Sequence, residues 1–98
     1  MASTPEFKVK AACKKLLAAH GIWHFSPIGG PYSVHGIPDI VCLAPNNQAF
    51  FIETKAPGKL KTLTANQKNC HDEIRARGGV VLVIDNVKSL EEYLSGNQ

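Results

Sequence analysis

Ninety-eight residues at 44% apolar content make one domain, expected to span 1–98, with a single modest core and no room for a second. A formal charge of +3 and a pI near 8.9 exclude a strongly acidic or polybasic chain and point only weakly to nucleic acid. No apolar run nears the ~20 residues that cross a bilayer, no secretion signal is visible, and Cys13, Cys42 and Cys70 form no C-x-x-C pair. A reduced, cytoplasmic protein with no zinc site is therefore expected.

The chain opens with a helix start at Ser3-Thr4-Pro5-Glu6. A hydroxyl caps, Pro tolerates the first turn, and Glu6 suits the positive end of the helix dipole. Val9, Ala12, Cys13, Leu16 and Leu17 recur at helical spacing, which predicts a helix over 5–20 that Gly21 ends. Lys8, Lys14 and Lys15 lie on its other faces, either as a solvated surface or as phosphate contacts.

Residues 22–25 read as a short strand, and 26–35 as a loop that is long for a domain of this size. Within it, Tyr32 and His35 either meet DNA or pin the loop to the core. Gly36 permits a positive φ or a close backbone approach, and Pro38 is tolerable at a strand start.

Two strands follow, over 39–44 and 48–55, joined by the turn residues Pro45-Asn46-Asn47. Centring the hairpin on Asn46 sets Cys42 opposite Phe50 and Asp39 opposite Glu53, with opposed Cβ atoms roughly 5 Å apart. The period of two then places Asp39, Glu53 and Lys55 on one face at one end of an apolar hairpin. Two carboxylates so close repel unless one is protonated or a cation lies between them. Two carboxylates, waters and a phosphate suit Mg²⁺, and a neighbouring ammonium can orient or deprotonate a water. The ordinary alternative is a surface Glu–Lys pair at a strand end. Both faces of the hairpin's middle are apolar, which predicts helices packed on both sides.

Residues 58–63, GKLKTL, form a basic segment leaving the same end, with Lys59 and Lys61 available to a DNA backbone. Thr64 and Gln67 read as a capping box, and the helix that follows ends at Gly78-Gly79. Gln67 faces the sheet from the first turn, as a cap or as a site residue; His71, one turn on, reads as structural. Residues 80–84 make a buried strand, parallel to 48–55 through a right-handed crossover. Asp85-Asn86 begins a last helix with Val87, Leu90, Tyr93 and Leu94 inward, and Asp85 is read there as a cap. The order is αβββαβα, an α/β fold with a mixed sheet of about four strands flanked by helices.

Pro38-Asp39 followed by Glu53-Thr54-Lys55 matches the PD-(D/E)xK nuclease pattern. The wider set is Gly36-Ile37-Pro38-Asp39, Phe51-Ile52-Glu53-Thr54-Lys55-Ala56-Pro57-Gly58, Gln67 and Val80-Val81-Leu82-Val83-Ile84-Asp85. It resembles the virus-type replication-repair nuclease (VRR-NUC) branch of that superfamily, over nearly the whole chain. The resemblance implies a restriction-endonuclease-like fold and Mg²⁺- or Mn²⁺-dependent hydrolysis of DNA phosphodiesters. Asp39 and Glu53 would be the metal ligands, with the Thr54 carbonyl a further one. Lys55 would activate water, and Gln67 would support the site. Glu6 corresponds to a Glu that the family carries early in its first helix, near the metal. Stand-alone phage or bacterial proteins of this kind act as homodimers on branched DNA, including four-way (Holliday) junctions, which implies a part in DNA repair. A nickase, flap cutter or RNA-directed enzyme, and a non-enzymatic DNA-binding module, are the alternatives.

Overall fold

The computed structural model describes residues 4–28 and 35–96. Helix α1 covers Pro5–Ala19, and the Thr4 hydroxyl accepts from the Phe7 N–H at 3.0 Å as its N-cap. Val9, Cys13 and Leu17, each four residues apart, form its buried stripe. Gly21, at φ +69°, turns the chain into β1 (Trp23–Phe25).

Strands β2 (Ile40–Leu43) and β3 (Ala49–Thr54) form the expected hairpin, with Ile40 opposite Ile52 and Cys42 opposite Phe50. Its turn carries Asn47 at φ 67°, and the Asn47 N–H donates to the Ala44 carbonyl at 3.0 Å. Helix α2 (Ala65–Ala76) then crosses to β4 (Val80–Ile84), which pairs in parallel with β3. Helix α3 (Val87–Gly96) completes the αβββαβα order, and the sheet runs β1-β2-β3-β4. The α/β class with a mixed four-stranded sheet is thus the one read from the sequence. Among the described residues no helix is long and apolar enough to cross a membrane.

The core occupies one face of the sheet. Ile40, Cys42, Phe50 and Ile52 point into it, against Val9, Cys13 and Leu17 of α1 and Leu90 and Leu94 of α3. Helices lie on both sides of the sheet, as expected, but the opposite face is covered only in part. Helix α2 lies over β4, and its twelve residues reach only about 18 Å. Val81 is buried beneath that side, but among the described residues none covers the far strands: Trp23 stays 63% exposed, Phe25 45% and Leu43 43%.

Candidate active site

The hairpin register carries Asp39 to the level of Glu53, at the end of the sheet where α2 begins. Thr54 fixes the Asp39 carboxylate: its N–H and its hydroxyl donate to the same oxygen, Oδ2, at 2.7 and 2.8 Å. Thr54 is fully buried at its end of this double contact.

Gly36 brings the chain before β2 against the start of α2. It holds φ +78°, and a Cβ there would stand 2.3 Å from the Asn66 carbonyl carbon and oxygen and 2.6 Å from the Gln67 nitrogen. Only glycine permits that contact, which brings Asp39 and Gln67 toward one site.

Glu53 is 1% exposed, and its two oxygens are held by α2. Gln67 Nε2 donates to Oε2 at 3.3 Å, and His71 Nε2 lies 3.3 Å from Oε1. The Glu53 pKa is pushed up to about 8, first by burial and then by the charge and hydrogen bond of Asp39; Lys55 opposes this and Glu6 adds slightly to it. The pairing with His71 is not an ion pair between charged groups. Burial foremost, and then the Arg75 charge, push the His71 pKa down, so the ring is neutral near pH 7. Its Nδ1 is buried with no hydrogen-bond partner among the described residues.

Lys55 is 7% exposed. Its N–H extends the parallel ladder, donating to the Ile84 carbonyl at 2.8 Å, which fixes the backbone beneath the side chain. Its Nζ donates to Gln67 Oε1 at 3.0 Å and to the Thr62 carbonyl at 3.4 Å. An ammonium has three N–H groups, so one remains for a further acceptor.

Gln67 therefore caps α2 and bridges Glu53 and Lys55 at once. Its N–H donates to Thr64 Oγ1 at 3.1 Å, while its Oε1 accepts from the Thr64 N–H at 2.9 Å as well as from Lys55. The two roles left open by the sequence are one arrangement: closing the capping box aims the amide at Glu53 and Lys55.

The other candidate residues are more dispersed. Glu6 is exposed in the first turn of α1 and lies near enough to Glu53 for its charge to act there. A groove lined by Pro5, Lys8, Pro57 and Asp85 places that turn beside the segment leaving β3. Lys59 and Lys61 are exposed on that segment, and the Gly58 N–H anchors it by donating to Asp85 Oδ2 at 2.9 Å. Asn86, rather than Asp85, caps α3, accepting from the Ser89 N–H at 2.9 Å. His35 is exposed next to Gly36, whereas Tyr32 lies outside the described residues. Lys14 and Lys15 sit on α1 about 12 Å of helix beyond Glu6 and are not brought into the cluster.

His71, expected to be structural, contacts Glu53. Its signal was the spacing of four from Gln67, which puts both side chains on one helical face toward Glu53.

The donor set fits a hard divalent cation. Asp39 and Glu53 lie side by side, and among the described residues no ion pair joins either carboxylate to a Lys or Arg. No group of three or more His, Cys, Asp or Glu converges among those residues. Mg²⁺ needs no such cage, because it keeps most of its waters.

The family model of the VRR-NUC domain matches residues 32–88. The chain belongs to the VRR-NUC domain family. That membership places it in a nuclease superfamily, with nucleic acid as the substrate class. A solved structure described as a VRR_NUC domain superposes with a TM-score of 0.84, covering 98% of this chain and all of that one at 23% identity. The shared fold is thus the VRR-NUC fold over the whole domain. No curated protein matches the chain in sequence.

Proposed function

We propose that residues 1–98 act as one cytoplasmic endodeoxyribonuclease domain that hydrolyses DNA phosphodiesters at the Asp39–Glu53–Lys55 centre. The observation that carries this reading is the hydrogen-bonded chain Glu53–Gln67–Lys55 beside Asp39, at the end of a family-matched nuclease sheet. Asp39 and Glu53 would hold Mg²⁺ or Mn²⁺, with the Thr54 carbonyl as a further ligand. Bound there, the cation supplies Lewis acidity toward a phosphoryl oxygen and lowers the pKa of a coordinated water.

The protein's own residues do the rest. Thr54 fixes the Asp39 carboxylate, and Gln67 and His71 fix that of Glu53. Lys55, with two N–H groups committed, turns its third toward the attacking water or the charge that develops on the phosphoryl group. Glu6 stands at the margin of the centre as a candidate for a second metal position. Lys59, Lys61 and His35 would meet the DNA backbone, with Lys14 and Lys15 as outlying phosphate contacts.

Branched DNA, including four-way junctions, is the proposed preferred substrate, and a repair role follows from it. A two-fold homodimer would supply the paired centres that symmetric incision needs, because one chain carries one such centre. The test is cleavage of end-labelled four-way junction, flap, duplex and single-stranded DNA with Mg²⁺, Mn²⁺ or EDTA. Paired symmetric nicks confined to the junction support the whole reading. Cutting of every substrate keeps the hydrolysis and removes the branch preference. Absence of metal-dependent cutting on all four contradicts the proposal.

A further inference from the structure

Beyond the hydrolytic centre, the uncovered side of the sheet has its own chemistry. Trp23 and Phe25 alternate with His24, so both rings rise from the same face of β1. Trp23 stands opposite Leu43 and Phe25 opposite Val41. Val41 in turn pairs with Phe51, two residues before Glu53. These pairings put Trp23, Phe25, Leu43, Val41, Phe51, Asp39 and Glu53 on one side of the sheet. The Trp23 and Phe25 rings touch each other, with centroids 5.4 Å apart and planes tilted by 56°. Both remain largely in water, 63% and 45% exposed.

We infer that Trp23 and Phe25, with Leu43 beside them, form a stacking platform for unpaired nucleobases of the strand whose phosphate reaches Asp39 and Glu53. The inference rests on the nuclease reading for its substrate and adds the class of DNA feature recognised. Three arguments select this occupant. The patch is continuous with the carboxylate centre. Counting two residues per side-chain step, Phe25 and Trp23 lie about 7 and 14 Å along the strands from the level of Asp39, or roughly two to four nucleotides at duplex rise. The patch also carries no charge. Phosphates gain nothing there, whereas the π-face of any base stacks on an exposed ring. Finally, Trp23, Phe25 and Leu43 expose roughly 300 Å² between them, well short of the ~800 Å² per partner that a stable protein interface buries.

Trp23 is the only tryptophan in the chain, so its emission reports on this face alone. The experiment titrates the full-length protein in EDTA, where no cleavage proceeds, with single-stranded, flapped and fully paired oligonucleotides. Binding is followed in parallel by anisotropy of labelled DNA. The expected result is quenching of Trp23 by single-stranded and flapped DNA and little by the paired duplex. Trp23→Ala weakens flap binding roughly tenfold or more, and Trp23→Phe, which keeps a ring, restores most of it. Equal quenching by duplex, or DNA binding without quenching, overturns the inference. So does emission that follows protein concentration without DNA, with a dimer lost in Trp23→Ala, because the face would then be a self-contact. The two readings fail separately. Quenching without metal-dependent cleavage of any substrate removes the hydrolysis proposal alone, and cleavage without quenching removes only the platform.

Discussion

Thr54 gives both its N–H and its hydroxyl to a single oxygen of Asp39, at 2.7 and 2.8 Å. The residue between the Glu and the Lys of the E-x-K run is thus not a spacer. It sets the rotation of the carboxylate at the head of the neighbouring strand. Thr54→Val keeps the shape and the backbone bond but deletes the hydroxyl. We expect cleavage to fall roughly ten- to hundredfold, as for other groups that orient a metal ligand. Thermal unfolding should show a loss of about 1 kcal/mol, since a half-buried carboxylate loses one of its two Thr54 donors. Thr54→Ser should recover most of both.

Gln67 couples the capping of α2 to the geometry of the site, and two variants separate these roles. Thr64→Ala removes the hydroxyl that accepts from the Gln67 N–H, at a cost of about 1 kcal/mol, and leaves the amide between Glu53 and Lys55. Gln67→Ala keeps that backbone bond and removes the amide, which accepts from the Thr64 N–H and bridges Glu53 and Lys55. The two should melt at similar temperatures, while only Gln67→Ala loses roughly ten- to hundredfold in cleavage rate. Equal rates in the two variants would reduce Gln67 to a cap.

Burial beside Asp39 raises the Glu53 pKa to about 8 in the metal-free protein. A carboxyl whose pKa is raised on folding binds more protons folded than unfolded. Its contribution to stability is therefore favourable at low pH and is lost as pH climbs from about 4.5 to about 8. Thermal melts in EDTA should show this decline, and Glu53→Gln should flatten it and be the more stable protein at pH 8.5. Mg²⁺ competes with the same proton, so its stabilising effect on the wild type should grow across that window and be largely absent in Glu53→Gln.

Gly36 tests how the loop before β2 is seated. Alanine there would need a positive φ and would drive a Cβ into the Asn66 carbonyl group at 2.3 Å. Backbone cannot step aside as a flexible side chain can. Gly36→Ala should cost about 2–4 kcal/mol by chemical denaturation and should also reduce cleavage, because the displaced segments carry Asp39 and Gln67.

Much of this was legible in the chain. The turn at Pro45-Asn46-Asn47 set the hairpin register, and the register alone put Asp39 level with Glu53. Thr64 and Gln67 carried the start of α2 in their spacing. Other features had no local signal. Apolar residues on both faces of β2 and β3 said nothing of how far α2 would extend, so the bare surface around Trp23 came only with the structure. His71 was indistinguishable from a core histidine until α2 was laid over Glu53. Asp85 and Asn86 are adjacent and both able to cap, and only the position of Gly58 shows that Asp85 is engaged elsewhere. Strand periodicity brought out Asp39, Glu53 and Lys55, and the capping box brought out Gln67, whereas the His71–Glu53 contact depends on where α2 lies.

The central claim is that one centre, Asp39–Glu53–Lys55, performs the hydrolysis. The most direct measurement pairs Mn²⁺ binding with DNA cleavage in the wild type, Asp39→Asn and Lys55→Met. The account predicts that the wild type binds Mn²⁺ and cuts DNA. Asp39→Asn should lose both, and Lys55→Met should keep the metal while losing cleavage by at least about a hundredfold. Cleavage by Lys55→Met at the wild-type rate, or metal-dependent cleavage surviving in Asp39→Asn, would contradict it.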